Sequence, residues 1–206
     1  MDDQQQGERF SEDEATPGRK RPRPGERRLQ ILQTLADMLE QPGAERVTTA
    51  SLAARIGVSE AALYRHFASK AQMFEGLIDF VDQSVIGLIR QVTDREPAGP
   101  AQAGRIVALL LQFAEKNPGM SRVMTGDALV LEHERLQERI NLLFDKIEAQ
   151  LRQSLKGAES ATPTADAQLV ASLLVAFMQG RLQRFARSGF KRMPSEHLQA
   201  SLARML

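Results

Sequence analysis

The sequence predicts an all-α fold, on three observations. Apolar residues recur three and four positions apart in nearly every segment. No stretch shows the strict alternation of a half-buried strand, and no hairpin dipeptide joins two such stretches. Clusters of proline and glycine separate pieces of helix length. No internal repeat is present.

The elements follow in order. Residues 1–24 are polar and end in the proline-punctuated "PGRKRPRPG", the composition of a disordered tail. From about Glu26, Leu29, Leu32, Leu35, Ala36 and Leu39 define a helix that "QPGAE" stops. Thr48 and Thr49 can cap a short helix that turns Leu52, Ala53 and Ile56 inward and ends at Gly57. Ser59 can cap a second, carrying Leu63 and Phe67 inward. Ser69 and Gln72 have the spacing of a capping box before a helix over about 70–93. Further helices are predicted over about 101–116, 118–124, 127–156 and 166–188. A last one carries Leu198, Leu202 and Leu206. The expected organisation is a tail over 1–24, a helix-turn-helix domain over 25–70 and a helical dimerisation and regulatory domain over 71–206.

Composition narrows the function. The formal net charge is only +1, but it is unevenly spread. Residues 1–18 carry six acids against one arginine. Residues 19–28 carry Arg19, Lys20, Arg21, Arg23, Arg27 and Arg28 against Glu26. A basic arm after an acidic tail points to nucleic acid or another anionic surface. Cysteine is absent, which excludes disulfides and thiolate chemistry and fits a reducing compartment. No signal-peptide pattern and no bilayer-length apolar run is present, so a cytoplasmic protein with no membrane partner is expected. His66, His133 and His197 lack metal-ligand spacing, "EHER" is not H-E-x-x-H, and no phosphate-binding glycine loop appears. Neither an enzyme nor a cofactor is expected.

The stretch 48–67, "TTASLAARIGVSEAALYRHF", carries the function. Its two short helices meet at Ile56-Gly57-Val58-Ser59, where glycine supplies the left-handed backbone. With Leu63 and Phe67 inward, Ala61 and Arg65 lie opposite, flanked by Ala62 and Tyr64. That face suits a major groove. Alanines allow close approach and can touch a thymine methyl. Arginine reads guanine or holds phosphate, and Tyr64 and His66 bond phosphate oxygens.

The segment 48–74 resembles the DNA-binding domain of TetR-family regulators, through Leu52-Ala53, Gly57-Val58-Ser59, Leu63-Tyr64, His66-Phe67, Ser69-Lys70 and Met73-Phe74. The resemblance implies that Thr48 and Thr49 approach backbone phosphate. It implies a recognition helix from Ser59 through His66, and Lys70 opening a fourth helix whose N-terminus faces phosphate. It also implies a two-fold dimer on a palindromic site. The predicted helix "DAQLVASLLVAFMQGRLQRF" is apolar on more than one face and must be buried. Leu169, Leu173, Ala176, Phe177 and Gly180, with Leu198 and Leu202 of the last helix, are its expected dimer interface. Burial within one protomer is the alternative.

Residues 116–153 and 184–194 extend the resemblance to a division-regulating branch of the family. That branch implies a protein partner, the tubulin-like cell-division GTPase, antagonised while the regulator sits on chromosomal DNA. Phe80, Leu88, Lys116 and Asn117 are the partner candidates, with a core role the alternative for Phe80 and Leu88. A ligand-responsive repressor is the competing function. The low aromatic content of the C-terminal helices weighs against an aromatic-lined pocket.

Overall fold

A computed structural model describes residues 25–41, 47–156 and 164–206. The described residues are helical with no strand. The elements are α1 (Glu26–Leu39), α2 (Thr49–Ile56), α3 (Glu60–Tyr64), α4 (Lys70–Thr93), α5 (Pro100–Lys116), α6 (Pro118–Met124), α7 (Glu134–Leu155), α8 (Thr164–Arg187) and α9 (Leu198–Met205). The tail 1–24 and its basic arm lie outside the described residues.

The helix starts follow from their caps. The Thr48 hydroxyl accepts from the Ser51 N–H at 3.1 Å, and the Ser51 hydroxyl accepts from the Thr48 N–H at 3.1 Å, a reciprocal box. The Ser59 and Ser69 hydroxyls accept from Ala62 and Gln72 N–H groups. At Ser69 the return arm is displaced by one residue. Gln72 Oε1 accepts from the Ala68 N–H at 2.8 Å, not from that of Ser69. Gly57 ends α2 at φ 76°.

One boundary differs from the sequence expectation. The helix expected from 127 begins at Glu134, with the His133 imidazole as its N-terminal acceptor. Gly126 stands at φ 79° and turns the chain, so Asp127–Leu129 form a single 3-10 turn. Ala128 and Leu129 are buried from that turn. Apolar spacing alone does not distinguish such a turn from a first turn of α-helix.

A continuous apolar core runs from Ile31 of α1 to Leu202 of α9. Ion pairs between α4 and α7 give their relative direction: Glu75 with Arg135, Asp79 with Arg139, and Asp82 with Lys146. The two numbers rise together, so α4 and α7 run parallel. Exposed pairs of this kind add little stability, and their main effect here is register. α6 approaches the backbone of α1 closely at Gly119. A Cβ on Gly119 would stand 2.2 Å from the Ala36 carbonyl oxygen, so this crossing requires glycine.

Candidate nucleic-acid interface

The head is built from the inside outward. Leu52, Ala53, Ile56, Leu63 and Phe67 are buried together, which fixes α2 against α3. The Thr49 hydroxyl donates to Glu60 Oε2 at 2.6 Å and ties the two helices across their turn. α1 closes the other side. Arg28 Nη1 donates to the His66 carbonyl at 2.9 Å, and its guanidinium lies 4.0 Å from the centre of the Phe67 ring. This clamp was hidden in the sequence, where Arg28 is one more basic residue of the arm. Its partner lies 38 residues away.

The outward face matches the helical-wheel projection. Ala61, Tyr64, Arg65 and His66 are exposed and Ala62 is half-buried. The regular helix is shorter than expected, ending at Tyr64, and the chain continues through turn geometry to Phe67. The resulting surface is small next to Ala61 and Ala62, cationic at Arg65, and edged by Tyr64 and His66. It fits a major groove, with phosphates at its margin.

Thr48, Thr49 and Lys70, three of the groups expected at phosphates, already have partners. Thr48 caps α2 and Thr49 holds Glu60. Ser59 caps α3. The Lys70 ammonium is bonded to the Glu132 carboxylate. For Lys70 or Thr49 to reach a phosphate, each would have to give up its internal carboxylate acceptor. Among the described residues no group of His, Cys, Asp and Glu is placed to hold a metal.

The other candidates divide. Phe80 is 48% exposed, so a core role does not account for it. It lines a groove of about 560 Å³ between α1, α4 and α6, with Leu29, Gln33 and Met120. Lys116 is exposed at the end of α5, four residues before Met120 of α6, while the Asn117 amide is bonded to the Phe113 carbonyl at 2.7 Å. Leu88 is half-buried against the core, two turns along α4 from Phe80 and outside that groove.

On α8, Leu169 and Leu173 are exposed, as are Ala176 and Gly180, beside a half-buried Phe177. These positions form one stripe, and the space around Gly180 is open. Leu198 and Leu202 are a correction to the expected interface. Both are 5% exposed, buried within the protomer's own core. A spacing of four marks an apolar face but does not say whether that face meets the same chain or another.

A paired-helix head carrying a small, cationic outer face, mounted on a helical bundle, defines a helix-turn-helix DNA-binding regulator. Comparison with known proteins agrees. Residues 31–77 match the family described as bacterial regulatory proteins, tetR family, and residues 101–205 match the tetracyclin repressor-like C-terminal domain. The chain is 49% identical over 177 residues to nucleoid occlusion factor SlmA of Idiomarina loihiensis, covering 84% of this chain and 90% of that one. To the protein of the same name from Shewanella oneidensis it is 51% identical over 174 residues, covering 83% and 88%. Among solved structures, a TetR transcriptional regulator from Legionella pneumophila superposes with TM-score 0.69 at 13% identity, covering 86% of this chain and 95% of that one. A TetR-family regulator from Bordetella parapertussis gives 0.68 at 18% identity, covering 88% and 95%. Both likenesses concern the fold alone. The chain belongs to the TetR family, in the group whose curated members are named nucleoid occlusion factors. It is a DNA-binding regulator and not an enzyme.

Proposed function

We propose that the chain is a nucleoid occlusion factor. As a homodimer on palindromic chromosomal sites, it antagonises assembly of the tubulin-like cell-division GTPase over the nucleoid. It acts in the cytoplasm, bound to the nucleoid. Among the described residues no helix is long and apolar enough to cross a membrane.

The observation that carries the reading is the layout of α4. Its first residue, Lys70, belongs to the head, and Phe80, ten residues on, is exposed beside an open, largely apolar groove. Ten residues of helix rise ~15 Å. One rigid element thus joins a DNA-facing group to a surface suited to a short peptide with an apolar anchor. DNA can bias partner binding only through an element that both sites share, and α4 meets that condition. The similarity to proteins named nucleoid occlusion factors supports the same reading.

Two measurements on the wild-type protein test it. Genome-wide mapping of bound DNA is expected to return many scattered palindromes, sparse near the replication terminus. Co-sedimentation with polymers of the GTPase is expected to increase when the cognate duplex is present. Binding confined to one adjacent promoter, with no effect on the polymer, overturns the proposal in favour of a ligand-responsive repressor.

A further inference from the structure

We propose that the turn between α8 and α9 is a second DNA contact. Arg184, Arg187, Lys191 and Arg192 form a cationic patch that holds duplex phosphates without reading bases. The inference rests on the DNA-binding role of the head.

Its position follows from register. At one end of the pair, Gln168 of α8 bonds to Glu148 at 2.7 Å and to Arg152 at 3.1 Å on α7. At the other, Gln183 donates to Asp127 at 3.2 Å, just before α7. α8 therefore runs antiparallel to α7 and finishes beside its start. That start follows Glu132, which holds Lys70 of the head. The turn after α8 thus lies at the end of the bundle that carries the recognition helix.

Its charge is unbalanced. All four side chains are exposed, and none forms an ion pair with a described residue. Of the acids around the turn, Glu132 is paired with Lys70, Asp127 accepts from Gln183, Glu115 accepts from the Ser195 N–H at 2.8 Å, and Glu196 lies 3.7 Å from His197, so none is bonded to the four cations. Arg184 and Arg187 lie in the last turn of α8, where cations favour the helix dipole. Lys191 and Arg192 lie beyond it, so the dipole does not account for them. Four like charges within nine residues repel one another, and a polyanion relieves that repulsion.

Its shape is held. Gly189 and Phe190 both stand at φ 62°, a conformation that a bulky side chain adopts only under constraint. The Ser188 hydroxyl accepts from the Lys191 and Arg192 N–H groups at 3.1 and 2.9 Å. The Phe190 ring packs edge-on to Phe185 at 5.1 Å, with the Arg122 guanidinium 5.2 Å from its centre. The cations therefore project from a fixed turn.

The test uses the full-length chain carrying Arg187→Ala, Lys191→Ala and Arg192→Ala, with binding to a cognate and a scrambled duplex measured across salt concentrations. Affinity for both duplexes is expected to fall by the same factor, roughly tenfold or more at low salt. The slope of log K against log salt is expected to shrink by about two to three. Arg187→Lys with Arg192→Lys, which keeps the charge, is expected to bind as wild type. Unchanged affinity and slope overturn the proposal. So does a lowered melting temperature with DNA binding intact, which would make the patch structural. Arg65→Ala serves as the contrast, because it is expected to lower the cognate-to-scrambled ratio, which the patch variant leaves alone. If Arg65→Ala leaves that ratio unchanged while the patch variant weakens both duplexes, the reading of the head fails and the patch stands.

Discussion

Lys70, the first residue of α4, donates its ammonium to the carboxylate of Glu132, 62 residues further along the chain. The cation at the head of α4 is therefore neutralised from within the molecule, and a DNA phosphate must compete with Glu132 for it. Removing the competitor is expected to strengthen DNA binding. Glu132→Gln should tighten binding to cognate and scrambled duplex alike, by several-fold at low salt, because the part-buried carboxylate that holds the Lys70 ammonium is gone. Fluorescence anisotropy titration checks it, and weaker binding by the variant would show that Glu132 positions Lys70 instead of masking it.

The recognition face gives the second prediction. Tyr64→Ala and Arg65→Ala are each expected to cost about 1–3 kcal/mol in cognate binding. With Lys70→Ala added, specific binding should disappear. The Tyr64→Ala, Arg65→Ala double variant is expected to melt near wild type because both side chains are exposed, whereas Lys70→Ala also strips Glu132 of its partner and lowers the melting temperature. A triple variant that still selects its palindrome would move recognition to another element.

Assembly gives the third. The exposed stripe on α8 places Leu173 midway between Leu169 and Phe177. Leu173→Glu is expected to yield a folded monomer at micromolar concentration by analytical ultracentrifugation. Leu202→Ala should behave differently, lowering protomer stability by about 2–5 kcal/mol because its side chain is in the core. A wild-type monomer at that concentration would refute the dimer.

The partner surface gives the fourth. Phe80→Ala and Lys116→Glu are expected to abolish co-sedimentation with the GTPase polymer, with operator affinity and sedimentation coefficient unchanged. Leu88, outside the groove, should tolerate Ala with little loss of partner binding. Retention of partner binding by both of the first two variants would exclude the groove between α1, α4 and α6.

How much of this was legible in the sequence depended on the range of the interaction concerned. Caps and breaks act over three or four residues, so Thr48, Gly57, Ser59 and Ser69 marked α2, α3 and the start of α4. The wheel of α3 placed Tyr64 and Arg65 outward because Leu63 and Phe67 are unambiguous anchors. Contacts between distant segments left no such trace. Nothing near Arg28 in sequence announces His66, and nothing near Lys70 announces Glu132. Leu198 and Leu202 differ from the expected interface for the same reason: periodicity gives a face but not its neighbour. Gly126 shows a further limit, since one left-handed residue turned an apparent helix start into a 3-10 turn.

α4 also has a mechanical consequence. Its 24 residues form an unbroken rod of ~36 Å from head to bundle, with no flexible joint between them. A tilt of about 5° at the bundle end displaces the head by ~3 Å, close to the rise of one base pair along a DNA strand. In a symmetric pair the two displacements oppose each other, so the distance between recognition helices changes by ~6 Å. In the proposed dimer, the spacing of the half-sites would therefore follow from the angle of α4. A partner seated beside Phe80 would press on α4 ~15 Å from the end that carries Lys70.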